Sequence, residues 1–403
     1  MATTCQTLVG SDDALDTVAD LVIALMRSVS RNTEDAYQLA KALAAVATQL
    51  APSIHRAKEE EDTDLQNVYM RLSTELCEAF FDIILGDYEH YAVFVQNLLA
   101  CMAFDDLELI PMAFHFWADF SQALLADNCE PARQHFAPVY IQITDIMLDH
   151  LQYPSDVEAQ TAEERDNFRS FRHDMGHVLK DAIDVVGHEP ILMRPLTRLQ
   201  TLLSTPGSSW QAIEAPLFSF RSMGSKVPDD EAVVLRPLFQ DIMPRLPPHP
   251  KLRYAATLVI GVYASWAKEH TAVIDWMMGY IAETFQLKGN DAETTEELGS
   301  AAALALKHLC KACSAFLKPY LAQLIPFYEA APASLNKYDL LEVTEALAQI
   351  LSAIPPEEGL PLLQQFCLPI ATSLHQFAQS DPATLREGGT NVAAVTGSLL
   401  SSS

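Results

Sequence analysis

The sequence has 403 residues, of which 49% are hydrophobic, a share that supplies a folded core and excludes wholesale disorder. It has only 14 glycines for β-hairpin turns, and its apolar positions are dominated by Leu and Ala, which favour helix. The formal net charge of −27 repels nucleic acid and anionic membranes and attracts basic proteins, although an elongated protein also needs charge for solubility. We therefore expect an all-α protein with neither a direct nucleic-acid partner nor membrane insertion.

The cysteines and the first apolar stretch indicate the compartment. Acidic residues interrupt that first stretch, which excludes an ordinary signal peptide, and the longest nearly apolar run, residues 255–267, is too short for a membrane span. The seven cysteines are an odd number spread through apolar helical segments: Cys5, Cys77, Cys101, Cys129, Cys310, Cys313 and Cys367. This distribution predicts reduced, buried thiols in a cytosolic or nuclear protein.

Apolar residues recur along the chain at the spacing of amphipathic helices. One set of predicted helices, which we call the first helices, has members that start near Asp12, Asp105, Glu164, Ser208 and Leu335 and members that cover residues 64–85, 251–268 and 293–316. A second set lies between them, at residues 34–50, 89–102, 132–151, 189–203, 230–243, 271–285 and 316–328. We expect an exposed loop at residues 54–63 and mobile segments at 153–162 and 391–403.

From Glu164 onward the first helices recur roughly every 42 to 44 residues, which is the period of HEAT and armadillo arrays. Each helix pair cannot bury its apolar face alone, so the pairs must stack. The predicted fold is a HEAT-repeat α-solenoid, a right-handed superhelix of antiparallel helix pairs. We expect one continuous array over residues 1–388 and a disordered tail over 389–403. A solenoid offers a long concave surface and no crevice for chemistry, so we expect a protein-binding protein that is not an enzyme.

Local sequence supports this arrangement. Acidic, Ser or Pro residues stand where the first helices begin, as in Thr63-Asp64 and Ser208-Ser209, and carboxylates there complement the helix dipole. Small residues recur inside the helices, as in Ser300-Ala301-Ala302-Ala303, and predict a close approach of neighbouring helices.

Two motifs suggest chemistry but are incomplete. His173 and His177 are four residues apart on a helix, as in zinc proteases, yet Asp174 stands where the catalytic Glu belongs and a third ligand is missing. Cys310 and Cys313 form a CxxC without a second Cys/His pair, so we expect core packing there rather than a metal site. We find no GxGxxG, P-loop or GxSxG motif, and we predict no catalytic, cofactor-binding or metal-binding residues.

Three segments are similar to the transportin-SR branch of the importin-β (karyopherin) family. They are Asp166-Asn167-Phe168-Arg169-Ser170-Phe171-Arg172, Trp210-Gln211-Ala212-Ile213-Glu214-Ala215-Pro216-Leu217-Phe218 and Ala302-Ala303-Leu304-Ala305-Leu306-Lys307-His308-Leu309-Cys310. Their order and spacing match across most of the chain, which resembles the middle portion of such a receptor. From this resemblance we expect the given sequence to contain neither the N-terminal repeats that dominate Ran binding in the family nor its arginine-rich helix.

The resemblance implies a nuclear transport receptor, or a fragment of one, that shuttles between nucleus and cytoplasm. It implies basic or arginine/serine-rich cargo, control by the GTPase Ran, and contacts with nuclear-pore proteins. The alternative is a generic HEAT-repeat scaffold for a multiprotein complex. Charge and spacing make Glu164, Asp166, Asp174 and Asp181 the candidate partner-binding residues, because Glu164, Asp174 and Asp181 follow steps of ten and seven residues along one helix.

Overall fold

The structure is a computed structural model that describes residues 12–30, 33–155, 157–331 and 335–379. Every regular element in these ranges is helical, and no strand occurs in them, which confirms the predicted all-α class. None of the helices in this part of the chain is long and apolar enough to cross a membrane. The predicted tail at residues 389–403 lies outside the described ranges.

The helices group into two compact units, Met1–Thr201 and Leu202–Ser403. The helices of the first unit are α1 (Asp12–Ser28), α2 (Glu34–Glu59), α3 (Thr63–Ala79), α4 (Phe81–Gly86), α5 (Tyr88–Cys101), α6 (Phe114–Leu124), α7 (Glu130–His150), α8 (Ala162–Val186) and α9 (His188–Ser204). In the order α1, α3, α6 and α8, each helix contacts the next, and the four form one layer. Helices α2, α5 and α7 contact one another in the same way and form the second layer.

The second unit repeats this two-layer arrangement. Its helices are α10 (Trp210–Met223), α11 (Pro250–Val262), α12 (Ala264–Glu269), α13 (Ile274–Gln286), α14 (Ala292–Cys313), α15 (Leu321–Ala330), α16 (Lys337–Ser352) and α17 (Pro356–Ala378). Helices α10, α11, α14 and α16 stack in one layer, and α13, α15 and α17 each contact a helix of that layer. The first helices begin roughly every 40 to 48 residues from α8 onward, near the predicted period.

Side-chain caps fix where several first helices begin. The side chains of Asp62, Ser209, Asp291 and Asn336 each accept a hydrogen bond from a backbone amide in the first turn of α3, α10, α14 or α16. Such caps satisfy amides that have no partner within the helix. The polar residues at the predicted helix starts therefore have a structural role.

Aromatic side chains fill the core of the first unit. Phe116, Trp117, Phe120 and Phe136 are almost completely buried, and the rings of Phe120 and Phe136 meet edge to face with centroids 5.0 Å apart. The hydroxyl of buried Tyr140 donates to the carbonyl of Trp117 at 3.1 Å. These contacts join α6 to α7 within one helix pair.

Small residues allow α11 and α14 to approach closely, as the sequence predicted. A Cβ atom added to Gly261 would lie 3.1 Å from the Cα atom of Ala305. Cys310 and Cys313 are buried on α14, which confirms core packing of the CxxC, and burial raises the pKa of Cys313 to about 11. Cys77 and Cys101 are buried as well, while Cys129 and Cys367 are partly exposed and Cys5 lies outside the described residues.

The structure corrects five predicted elements. Helix α2 continues to Glu59 with Ile54 buried, so the predicted loop at residues 54–63 is wrong for most of its length. The helix expected near Asp105 begins at Phe114, after a 3₁₀ turn with Pro111 at its start. Residues 64–85 and 251–268 were each predicted as one helix, but each range forms two, α3 with α4 and α11 with α12. The single helix predicted at residues 230–243 does not form. The Glu231 carboxylate caps the amides of Val233, Val234 and Leu235, so the first helical turn begins only at Leu235, and short α, π and 3₁₀ turns follow to Arg245.

Candidate partner-binding surface

The candidate surface lies on α8, whose first turn is closed by a capping box. The Glu164 amide donates to the Thr161 hydroxyl oxygen at 3.2 Å, and the Glu164 carboxylate accepts from the Thr161 amide at 2.7 Å. The Thr161 hydroxyl also donates to that carboxylate, at 2.8 Å. These bonds, the one from the Thr161 amide first, hold the pKa of Glu164 below its ordinary value. Glu164 is therefore ionised and exposed, but its carboxylate already stabilises the start of the helix.

The other three acids have different surroundings. Asp166 is exposed and pairs with Arg169 at 3.3 Å on the same helix. Asp174 is exposed, and the structure shows no hydrogen bond or ion pair from it to any described residue. Asp181 is partly buried, and its charge adds to the burial that raises the pKa of Tyr140 on α7. Asp174 is thus the carboxylate of this set most available to a partner.

The helix geometry relates these positions to one another. Seven residues span about two turns, so Asp174 and Asp181 lie on nearly the same side of α8. Ten residues span about 2.8 turns, so Glu164 is offset from them by roughly 80° around the axis. The structure therefore brings Asp174 and Asp181 onto one line, with Glu164 and Asp166 in the first turns beside it.

His173 and His177 are both exposed on this helix. Within the described ranges no group of three or more His, Cys, Asp or Glu side chains is placed to hold a metal ion.

Acidic residues elsewhere in the chain have partners within the fold. The buried carboxylate of Glu231 accepts hydrogen bonds from the amides of Val233, Val234 and Leu235 at 2.7 to 2.8 Å. Glu297 pairs with Lys251 at 2.7 Å. These carboxylates already bind groups within the fold. The number of acidic residues in the sequence is therefore larger than the number of carboxylates available to a basic ligand.

Sequence reasoning missed a series of ion pairs between neighbouring helix pairs. Arg194 and Arg198 of α9 pair with Asp145 and Asp149 of α7, each with an N–O distance of 2.6 Å. In the second unit, Lys307 of α14 contacts Glu342 and Glu345 of α16, each at 2.7 Å. In the first unit, Arg71 of α3 contacts Asp16 and Asp20 of α1. The recurring i, i+3 and i, i+4 spacing of these acids was the available signal, because such residues share a helix face.

The sequence of the chain is similar to those of several known proteins. Residues 61–150 match the family model described as the Transportin-3/Importin-13 second TPR domain. The chain is 35% identical over 333 residues to an uncharacterized protein of Schizosaccharomyces pombe, with 78% of this chain and 34% of the relative covered. It is 31% identical over 352 residues to the mRNA transport regulator MTR10 of Saccharomyces cerevisiae, with 85% and 36% covered, and 25% identical to importin-13 of Gallus gallus, with 83% and 36% covered.

The fold is also found among solved structures. A crystal structure of a Kap121p mutant superposes with a TM-score of 0.61 at 15% identity and covers 96% of this chain and 35% of that one. A second structure, the karyopherin Kap121p bound to the SUMO protease Ulp1p, gives a TM-score of 0.59. At this identity the likeness shows the fold alone.

Helix pairs stacked in two layers, together with these structural neighbours, define a karyopherin-type α-solenoid of HEAT repeats. Over 78 to 85% of its length the chain is similar in sequence to relatives in the importin-β (karyopherin) family, on the branch of transportin-3 and importin-13. It spans about a third of the length of the curated relatives that it matches.

Proposed function

We propose that this chain is the cargo-binding part of a nuclear transport receptor and binds basic or arginine/serine-rich proteins. The observation that carries the proposal is its kinship to importin-13 and the mRNA transport regulator MTR10, in a chain with a net charge of −27. The mechanism is non-catalytic: cargo is held by many weak contacts along the helices and is released when Ran in its GTP form binds. The receptor shuttles between nucleus and cytoplasm and contacts nuclear-pore proteins on its way.

The proposed cargo contacts begin on α8, at Asp174 and Asp181, with Glu164 and Asp166 beside them. A field of this sign steers basic partners toward the chain and raises their association rate. Each exposed charge pair contributes on the order of 0.2 to 1 kcal/mol, so useful affinity requires several of them acting together.

Ran provides the test that separates a transport receptor from a scaffold. Immobilised chain is loaded with an arginine/serine-rich peptide and then washed with Ran locked in its GTP form or with Ran bound to GDP. The proposal predicts that the GTP form displaces the peptide and that the GDP form does not. Retention of the peptide against both forms would contradict Ran-controlled release from this chain.

A further inference from the structure

A pocket in the second unit lies between the residues that lead into α11, the helix α13 and the residues that lead into α14. It opens to solvent and has a volume of about 490 Å³, within the range of ligand-binding clefts. One wall is rich in proline, with Pro244, Pro247 and Pro248, whose rings restrict the backbone there. A second wall is aromatic, since Trp276 and Tyr280 of α13 line the pocket with ring centroids 5.1 Å apart. The pocket is thus bounded by rigid apolar groups.

The charges that line this pocket differ in sign from those of the chain. Two basic residues, Arg253 and Lys288, line it with one acidic residue, Glu283, whereas the whole chain has 53 acidic and 26 basic residues. Glu283 pairs with Arg253 at an N–O distance of 3.0 Å, so these two charges offset each other. Lys288 is exposed and forms no ion pair or hydrogen bond with a described residue. The pocket therefore keeps one positive charge that nothing in the described fold neutralises.

The guanidinium group of Arg253 is held in place by its neighbours. Its Nε donates to the Thr284 hydroxyl oxygen at 2.7 Å, and its Nη2 donates to the Tyr280 carbonyl and the Glu283 carboxylate. Its central carbon lies 3.5 Å from the centre of the Tyr280 ring. The remaining nitrogen, Nη1, makes no hydrogen bond to any residue that the structure describes, and it reaches solvent. A ligand that accepts from Nη1 pays little for ordering this side chain, because the fold has already ordered it.

Two further polar groups of the pocket have no partner in the described fold. The indole N–H of Trp276 and the side-chain amide of exposed Asn290 make no hydrogen bond there. An indole offers only a donor, and the ammonium group of Lys288 and the guanidinium group of Arg253 likewise offer only donors. The ligand that matches this set accepts hydrogen bonds and carries negative charge.

We propose that the pocket binds an acidic peptide segment of a partner protein, with an Asp or Glu carboxylate on Arg253 and Lys288 and an apolar neighbour on Pro247 and Trp276. A carboxylate is favoured over a phosphate, because the net charge of −27 opposes any anion and opposes a more highly charged one more strongly. The site goes beyond the proposed function, since its ligand is opposite in charge to the basic cargo.

The probe is a fluorescent peptide of about five residues with blocked ends, in which a central glutamate lies between two leucines, a size suited to this pocket. Its matched control has glutamine in place of the glutamate, and a third peptide has phosphoserine there. Fluorescence anisotropy with the full chain at about 50 mM NaCl measures the three affinities. The glutamate peptide is expected to bind at least about fivefold more tightly than the glutamine peptide.

Fluorine NMR of the chain labelled with 5-fluorotryptophan locates the bound peptide. The chain has four tryptophans, and loss of one signal in Trp276→Phe identifies the signal of residue 276. The glutamate peptide is expected to shift this signal and to leave that of Trp117, which is buried in the first unit, unchanged.

Two exposed residues of the pocket give charge variants that test the sign of the ligand. Lys288→Gln is expected to weaken the glutamate peptide by about threefold, while Lys311→Gln, at an exposed position of α14, is not. Glu283→Gln removes the acid of the pocket and is expected to strengthen the same peptide by about threefold. Glu329→Gln, at an exposed position of α15, is the matched control for this variant.

Four results would overturn the inference. They are equal binding of the glutamate and glutamine peptides, a Trp276 signal that does not move, weaker binding to Glu283→Gln, and a phosphoserine peptide that binds more than about tenfold tighter than the glutamate peptide. Weaker binding to Glu283→Gln would assign the pocket to a cationic side chain, and the last result would assign it to a phosphate. The release of a basic peptide by Ran is measured with a different ligand, so the two proposals fail separately.

Discussion

Arg194 of α9 and Asp145 of α7 form a bidentate ion pair, with Nε to Oδ1 at 2.7 Å and Nη2 to Oδ2 at 2.6 Å. The two residues belong to neighbouring helix pairs, and Arg198 and Asp149 repeat the contact one turn further along. Parallel double hydrogen bonds of this kind fix orientation as well as distance. The pair therefore sets the register between α7 and α9 in a way that apolar packing alone does not.

The first prediction concerns this pair. A double-mutant cycle with Arg194→Met and Asp145→Asn should give a coupling energy of about 0.5 to 1 kcal/mol, because the pair is bidentate but half-exposed. The exposed Asp166–Arg169 pair within α8 is the control, with an expected coupling of about 0.3 kcal/mol. Urea unfolding at low and high salt measures both. A coupling no larger than that of the control would show that the contact between α7 and α9 is incidental.

The second prediction compares two glycines in helices. Gly279→Ala on α13 should raise the free energy of unfolding by about 0.5 to 1 kcal/mol, because nothing lies within 4 Å of the added Cβ atom and alanine favours helix. Gly261→Ala should lower it by about 1 kcal/mol, since the backbone of Ala305 lies 3.1 Å away and must move. Stabilisation by both substitutions would mean that α11 and α14 are not in close contact.

The third prediction concerns the buried carboxylate of Glu231, which accepts three backbone amide hydrogens ahead of the irregular residues 235–245. Glu231→Gln replaces one acceptor oxygen by an NH₂ group that faces these donors. We expect a loss of about 2 kcal/mol in the free energy of unfolding, the cost of leaving buried amides unsatisfied. Glu293→Gln, in the exposed first turn of α14, is the control and should change it by less than about 0.5 kcal/mol. An equally small effect at position 231 would contradict this role.

The fourth prediction concerns pH. Burial lowers the pKa of His150 below its usual 6.5, despite its hydrogen bond with the Met102 carbonyl oxygen and the charges of Asp149 and Asp105. The unfolded chain thus takes up a proton at this residue at a higher pH than the folded chain does. Stability must therefore fall as pH drops below about 6.5 and continue to fall until the folded-state pKa is passed.

His150→Gln removes this proton uptake. Its free energy of unfolding should decline less than that of the wild type between about pH 7 and pH 5.5, by up to roughly 1 kcal/mol. If His150→Gln and the wild type lose the same stability over this interval, His150 is not held neutral by burial.

The sequence predicted the helical class, the repeat period and most second helices, because apolar spacing and helix caps are local signals. It failed at residues 230–243, since a periodicity count does not register that the Glu231 side chain bonds the backbone amides of residues 233–235. It also predicted a loop at residues 54–63, because the charged residues there outnumber the two buried apolar residues, Ile54 and Ala57.

Less of the candidate surface than of the fold could be predicted from the sequence. The acids of α8 were identified from charge and spacing, yet the engagement of Glu164 with Thr161 and the ion pair of Asp166 depend on geometry at a helix start.

The most direct test of the account is the binding of an arginine/serine-rich peptide across a salt series. The test variant combines Glu164→Gln, Asp166→Asn, Asp174→Asn and Asp181→Asn. The control neutralises four exposed acids elsewhere, Glu89, Asp127, Glu269 and Glu329, and so has the same net charge. The account predicts that the test variant binds about tenfold more weakly at low salt, that the control stays close to the wild type, and that the differences vanish at high salt. Equal binding by the wild type and the test variant at every salt concentration would contradict it.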